Sequence, residues 1–223
     1  MLEAAGRVGA VVVFAENLYS YGPVDGPITE ELPRKATGGK LGVRTDLLAA
    51  REASTTPTVS VAASDFYGPA VRNAHAGERL VPTVLAGKTM RVLGSLDQPH
   101  SFTYVPDLAA AMIRAAARPD LWNSFLHAPT APAVTQRQFV EQVAAAGDVA
   151  VPRMSALPGP VLRGLGLVSR QVRELAETGY MFARPFVLDS SASEQRLGLA
   201  PTPLQIGMKQ TVGWWRDQDG AIG

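Results

Sequence analysis

The chain has 223 residues, 46% hydrophobic and 18% charged, enough for one substantial core or for a domain with a smaller lobe. Its 21 basic residues against 20 acidic ones leave a formal charge of +1, which removes the electrostatic case for nucleic acid. Cysteine is absent, which excludes disulfides, thiolate catalysis and zinc–thiolate sites; no run is apolar enough to span a bilayer or act as a leader, so a cytoplasmic protein with no membrane partner is expected.

Met1–Val8 reads as a short helix. Val11–Phe14 is continuously apolar, the pattern of a strand covered on both faces in a parallel sheet. It leads into a polar, aromatic tip that closes at Gly22, then into the turn formers of Tyr21–Pro27. A helix is predicted over Gly39–Arg51, with Leu41, Leu47 and Leu48 on one face. Thr58–Ala62 reads as a second buried strand, Arg72–Leu85 as a helix, and Met90–Leu93 and Ser101–Val105 as short strands around the turn Gly94–Asp97. Asp107–Ala117 is a helix that stops before Pro119, and Phe125–His127 a short strand. Thr135–Gly147 has the strongest helix signals, a Thr cap and a terminal Gly. Pro152–Pro160 reads as irregular, Val161–Tyr180 as helical and Phe186–Asp189 as a strand. Helices follow over Ser191–Leu197 and Leu204–Trp215, with Asp217–Gly223 frayed. Alternating strands and helices give an α/β class.

The order of several landmarks carries more than any one of them. Asn17-Leu-Tyr-Ser-Tyr-Gly-Pro23, Thr29-Glu-Glu-Leu-Pro33 and Lys40 at a helix start come first. Asp65-Phe-Tyr-Gly-Pro69 follows, then Gly87, Gly94 and His100-Ser-Phe-Thr-Tyr-Val-Pro-Asp107, then Thr135–Phe139, Arg196-Leu-Gly198, Pro201 and Trp214-Trp215. In that order they resemble the NAD-dependent epimerase/dehydratase family of extended short-chain dehydrogenases. The resemblance implies the second half of a Rossmann-like doubly wound parallel sheet with a smaller C-terminal α+β substrate lobe. It divides the chain into a sheet remnant over 1–70 and a substrate lobe over 71–223, with one strand returning to the sheet near 124–127.

The resemblance also implies a catalytic Ser or Thr, a Tyr, and a Lys four residues after the Tyr. Lys40 stands in the Lys position, Ala36 in the Tyr position and Asn17 in the Ser position. The Arg position that grips substrate phosphate falls on His100, and the Arg position of the second strand on Ala62. The family's glycine-rich cofactor turn has no counterpart: Gly164-Leu-Gly166 lacks the rest of the fingerprint, and Thr37-Gly-Gly-Lys40 lacks P-loop spacing. An N-terminally truncated member is therefore expected, with no cofactor for this chain alone, or NAD or NADP if the missing half is supplied.

Residue by residue, the catalytic candidates are Tyr21, Tyr19, Lys40 and Asn17. Two apart on a strand, Tyr19 and Tyr21 would point the same way, lining a pocket or packing at a strand end. Lys40 is either a chemical group or a relic on a solvated helix start, and Asn17 either holds a carbonyl or caps the strand. The substrate candidates are Asp65, Phe66 and Tyr67, at the carboxyl end of a parallel strand where such sheets bind ligands, with His100, Tyr104 and Tyr180. His100 has no partner identifiable from sequence. His127 reads as structural, His75 as solvated and Trp214–Trp215 as core. No set of His and carboxylates has metal-ligand spacing.

The leading expectation is a cofactor-independent lyase, isomerase or cyclase on a small organic substrate. The alternatives are a fragment or subunit of an NAD(P)-dependent epimerase/dehydratase and a non-catalytic scaffold. An open strand edge at Val11–Phe14 predicts a homodimer covering the Met1–Leu18 side.

Overall fold

The computed structural model describes residues 1–157 and 177–220. The expected helix over Val161–Tyr180 and the Gly164–Gly166 pair lie largely or wholly outside them. The chain forms two compact units. Unit one is Met1–Ser64, Pro106–Thr130 and Leu188–Pro201; unit two is Asp65–Val105, Ala131–Val187 and Thr202–Gly223. Both are discontinuous in sequence, so the linear division at residue 70 is corrected: the segments from 106 and from 188 belong with the first sheet.

Unit one is built on three parallel strands, β1 (Val12–Glu16), β2 (Thr58–Ala62) and β7 (Ser124–His127), in the order β1-β2-β7. The register sets Phe14 opposite Ser60 and Ser60 opposite Phe125. The central β2 is buried at every position, which its β-branched Thr58-Val-Ser-Val run accommodates. The expectation that β1 is covered on both faces is corrected. Val12, Val13 and Phe14 are only half-buried and Ala15 is exposed, because β1 is an edge strand among the described residues. Helix α1 (Leu2–Arg7) precedes β1, and α2 (Gly39–Glu52) links it to β2. On α2, Leu41 and Leu48 are buried, while Leu47 is 41% exposed.

A buried ion pair pins α2 to the sheet. The Glu16 side chain is fully buried and takes Arg51 Nη1 at 2.8 Å and Arg44 Nη1 at 3.3 Å. The same Arg51 nitrogen donates to Ser60 Oγ at 3.0 Å, and the guanidinium lies 4.0 Å from the Phe14 ring centre. A carboxylate out of water needs this kind of compensation to remain charged.

Unit two holds β3 (Asp65–Tyr67), β4 (Met90–Leu93), β5 (Pro99–His100), β6 (Phe102–Tyr104), β8 (Val134–Thr135) and β9 (Met154–Leu157). These pair as β3 with β6 and β4 with β9, both parallel, and β5 with β8, antiparallel. Strand β9 replaces the irregular stretch expected there. Helix α3 is only Val81–Leu85, not Arg72–Leu85. The chain turns back before it, so Glu78 N–H reaches Arg72 O, and a methyl on Gly77 would lie 2.4 Å from that same oxygen. Helix α4 (Val105–Ala116) starts two residues earlier than expected. Helix α5 (Gln136–Ala146) has the predicted Thr135 cap, completed into a capping box by Gln138. Phe186–Asp189 makes only isolated bridges, Phe186 with His100 and Leu188 with Ile28, in place of the expected strand. Helices Tyr180–Ala183, Ser191–Leu197 and Leu204–Gly220 complete the described chain. The architecture is mixed α/β with parallel sheets.

Candidate functional site

At the carboxyl end of β1 the chain leaves the sheet abruptly. Glu16 Oε1 accepts Asn17 N–H at 2.9 Å, and Asn17 Oδ1 accepts Tyr19 N–H at 3.0 Å. Asn17 is thus a turn former. Tyr19–Tyr21 is consequently a turn of 3₁₀-helix rather than strand, and at three residues per turn the two phenols diverge. The expected same-facing pair is corrected. Tyr19 is half-buried; Tyr21 is buried and its hydroxyl lies 2.8 Å from His127 Nε2, at the carboxyl end of β7. Ser20 Oγ, between them, is buried and has no hydrogen-bond partner among the described residues.

His127 is the hub of unit one. Its Nδ1 lies 2.7 Å from the Asp189 carbonyl, which can only accept, so Nδ1 carries a hydrogen. In the neutral ring Nε2 then accepts from the Tyr21 hydroxyl. Glu30 Oε2 is 3.8 Å from Nδ1. The carboxylate is itself held by the Ser193 N–H and hydroxyl, and Ser193 Oγ also accepts His127 N–H at 2.8 Å. Burial pushes His127 below its ordinary 6.5. Burial also pushes Tyr21 up to about 12, against the opposing pull of Arg34. Hydroxyl and imidazole follow the logic of an activated hydroxyl, with the Asp189 carbonyl fixing the tautomer and the Glu30 carboxylate 3.8 Å from Nδ1. Sequence reasoning took His127 as structural and passed over Glu30; the Thr29-Glu-Glu-Leu-Pro33 landmark was the available signal.

Lys40 is exposed on the first turn of α2. Ala36 N–H donates to Ser20 O, and Ala36 O accepts from Thr45 Oγ1 at 2.7 Å. No phenol stands one turn before Lys40, so the Tyr–Lys pair of the family pattern is not formed here. A cavity of about 360 Å³ in unit one is lined by Arg34, Arg51, Ser60, Asn123 and Phe125 among others, and by none of the sequence candidates.

In unit two, Asp65 Oδ2 lies 2.5 Å from His100 Nε2, giving His100 the partner that the sequence did not reveal. His100 Nδ1 lies 3.0 Å from Met181 O, and Phe182 stacks on the ring at 4.8 Å and 12°. Burial pushes Asp65 upward, but the His100 hydrogen bond and then the His100 charge hold it below 3.8. His75 is not solvated: its Nε2 is 2.6 Å from Gln136 Oε1, and burial lowers its pKa. Gln136 donates both amide hydrogens, to Leu93 O and Ser95 O. Tyr67 and Tyr104 face each other across β3 and β6 in the core, the Tyr104 hydroxyl on Gln210, so their assignment to the pocket is corrected. Phe66, on the alternate face of β3, is half-buried. Tyr180 is half-buried with its ring edge-on to Phe186, which stacks on His100. Asp65, His100 and Tyr180 therefore belong to one cluster. Among the described residues no group of three or more His, Asp and Glu is placed to hold a metal, and no helix is long and apolar enough to cross a membrane.

The two buried, lowered histidines set an acid limit on stability. Below 6.5 the unfolded chain takes protons on His75 and His127 that the folded chain refuses. Their contribution is complete above 6.5 and is lost as pH falls below it. Denaturant titrations at about pH 7.5 and about pH 5.5 are expected to show this loss, and His127→Gln to reduce it; an unchanged pH slope in the variant would contradict the assignment.

A nicotinamide dinucleotide lays its pyrophosphate on a glycine-rich turn between a strand and a helix. The passage from β1 to α2 runs through residues 17–38 and offers no such turn. That passage supplies no pyrophosphate cradle for such a cofactor.

Comparison with known proteins gives these sites a lineage. No curated protein sequence matches. UDP-glucuronic acid 4-epimerase of Bacillus cereus, solved with UDP-glucuronic acid and NAD, is similar at 17% identity and a TM-score of 0.74, over 97% of this chain and 65% of that one. UDP-glucose 4-epimerase of the hyperthermophile Thermotoga maritima is similar at 17% identity and a TM-score of 0.73, over 97% of this chain and 67% of that one. The dTDP-glucose 4,6-dehydratase of Bacillus anthracis, solved with NAD, has 17% identity and a TM-score of 0.71, over 98% of this chain and 66% of that one. At these identities the likeness shows the fold alone, and the chain spans about two thirds of those proteins' length. The sequence model of the NAD dependent epimerase/dehydratase family matches residues 1–124, more than half of the chain, and the chain belongs to that family.

Proposed function

We propose that the chain is the substrate-handling part of an NAD-dependent epimerase/dehydratase-type enzyme, in which Tyr21 passes a substrate hydroxyl proton to His127. The observation that carries this is the 2.8 Å contact between the Tyr21 hydroxyl and His127 Nε2, with Glu30 behind the ring. Family membership and the NAD-bound neighbours favour this dinucleotide-dependent alternative over the cofactor-independent lyase, isomerase or cyclase expected from sequence. The β1-to-α2 passage offers the dinucleotide no pyrophosphate cradle, which favours another part of the protein or another chain as its holder. The edge of β1 is the natural place for such a portion to join, since among the described residues no strand pairs with it on that side.

A free Tyr21 phenolate is excluded at neutral pH by a pKa of about 12. The phenol acts instead as a bridge: as it takes the substrate proton it gives its own to His127. The base of the relay is then the imidazole, which burial keeps neutral and so able to take a proton. Glu30 stabilises the imidazolium as it forms.

The test is hexose turnover with NAD, on protein purified from its native source so that any chain holding the dinucleotide stays with it. Tyr21→Phe and His127→Gln are each expected to lower turnover about 100-fold or more. The acid limb of the pH profile is expected below 6.5, following His127 rather than Tyr21. A Tyr21→Phe protein with full turnover and an unchanged thermal midpoint would overturn the proposal.

A further inference from the structure

We propose that Asp65, backed by His100, is a binding position for a hydroxyl- or ammonium-bearing sugar and rejects phosphate. The inference rests on the reading above only in that the chain handles a sugar substrate.

Hydrogen-bond accounting carries it. The Met181 carbonyl oxygen has no hydrogen to give, so His100 Nδ1, 3.0 Å away, donates to it. At the other end Nε2 lies 2.5 Å from Asp65 Oδ2. A bare ring nitrogen and a bare carboxylate oxygen would repel at that distance, so one proton is held between them. The pair is neutral in sum, whichever atom carries that proton. His100 is only 2% exposed, and its ring lies against Phe182, Phe186 and Phe102 at 4.8, 5.4 and 4.9 Å between centroids. Both ring nitrogens are occupied, so the imidazole itself offers a ligand nothing.

Asp65 is the part that reaches outward. Its side chain is 21% exposed, and its second oxygen, Oδ1, has no hydrogen-bond partner among the described residues. Such an oxygen accepts only. It suits O–H and N–H donors and opposes an oxyanion. His75 adds no phosphate-binding charge, because burial keeps it neutral and Gln136 fixes its Nε2 hydrogen. A diphosphate at this place would meet a carboxylate oxygen where it needs a donor.

The sharpest variant is Asp65→Asn, because an amide can still donate to His100 Nε2 while its oxygen loses the negative charge. Glucosamine and UDP are the probes, titrated by calorimetry into the full chain and into D65N. The native chain is expected to bind glucosamine, at least about tenfold more tightly than D65N does. UDP is expected neither to bind native Asp65 nor to displace glucosamine from it. Equal glucosamine binding by the two proteins, no glucosamine binding by the native chain, or competition by UDP would each overturn the inference. The UDP competition needs no variant and so does not depend on D65N folding. Binding is read without turnover, so a failure of the Tyr21–His127 relay leaves this result intact, and the reverse holds too.

Discussion

Replacing Arg51 with alanine is expected to cost about 3–5 kcal/mol of folding stability, the largest single loss of charge compensation in unit one. The Glu16 carboxylate would remain fully buried with Arg44 alone, at 3.3 Å, and Ser60 Oγ would lose its donor. The cation above Phe14 would go as well. Chemical denaturation of R51A measures this directly. A loss below about 1 kcal/mol would mean that Arg44 suffices. The double change Glu16→Leu with Arg51→Met is expected to recover most of the loss, since two packed apolar chains need no compensation. Glu16 also accepts the Asn17 N–H that begins the turn towards Tyr21, so R51A is expected to weaken the Tyr21–His127 contact along with the fold.

The second large effect is expected from Gly94→Ala. Gly94 has φ +71°, and a methyl there would sit 2.4 Å from the Phe182 carbonyl oxygen and 2.8 Å from the Phe182 Cβ. The oxygen has no freedom to yield, because it already accepts Ser95 N–H at 2.8 Å. Left-handed backbone strain and the clash together are expected to cost about 2–4 kcal/mol, seen as a lowered thermal midpoint. Gly87→Ala, at φ +64° with open space around it, isolates the backbone part and is expected to cost about 1 kcal/mol. Equal losses in the two variants would show that the contact with Phe182 is not a close one.

Much of the framework was legible because it follows local rules. β2 is a β-branched run buried on both faces, and α5 carries its own cap and stop. What escaped depends on pairing across the sequence. Tyr19–Tyr21 reads as strand until the Glu16 and Asn17 side chains are known to cap it. His127 is an isolated His at a strand end until Tyr21, 106 residues earlier, is brought to it. His100 and Asp65 are 35 residues apart and meet because β3, which begins at Asp65, pairs with β6, placing Asp65 opposite Phe102. Tyr67 and Tyr104 looked like pocket residues for the same reason that they pack: both belong to those paired strands, but on the side facing Phe139. β9 carries no strand signal of its own and forms only against β4.

The Phe182 ring lies beside two imidazoles, 4.5 Å from His75 and 4.8 Å from His100. Its ring current therefore displaces the proton resonances of both histidines at once. One aromatic side chain thus makes two otherwise separate nuclei report on a single position. Any movement of Phe182 appears as a paired change in the spectrum, while an event confined to one imidazole appears alone. Unit two carries a built-in two-channel probe, and labelled histidine is enough to read it.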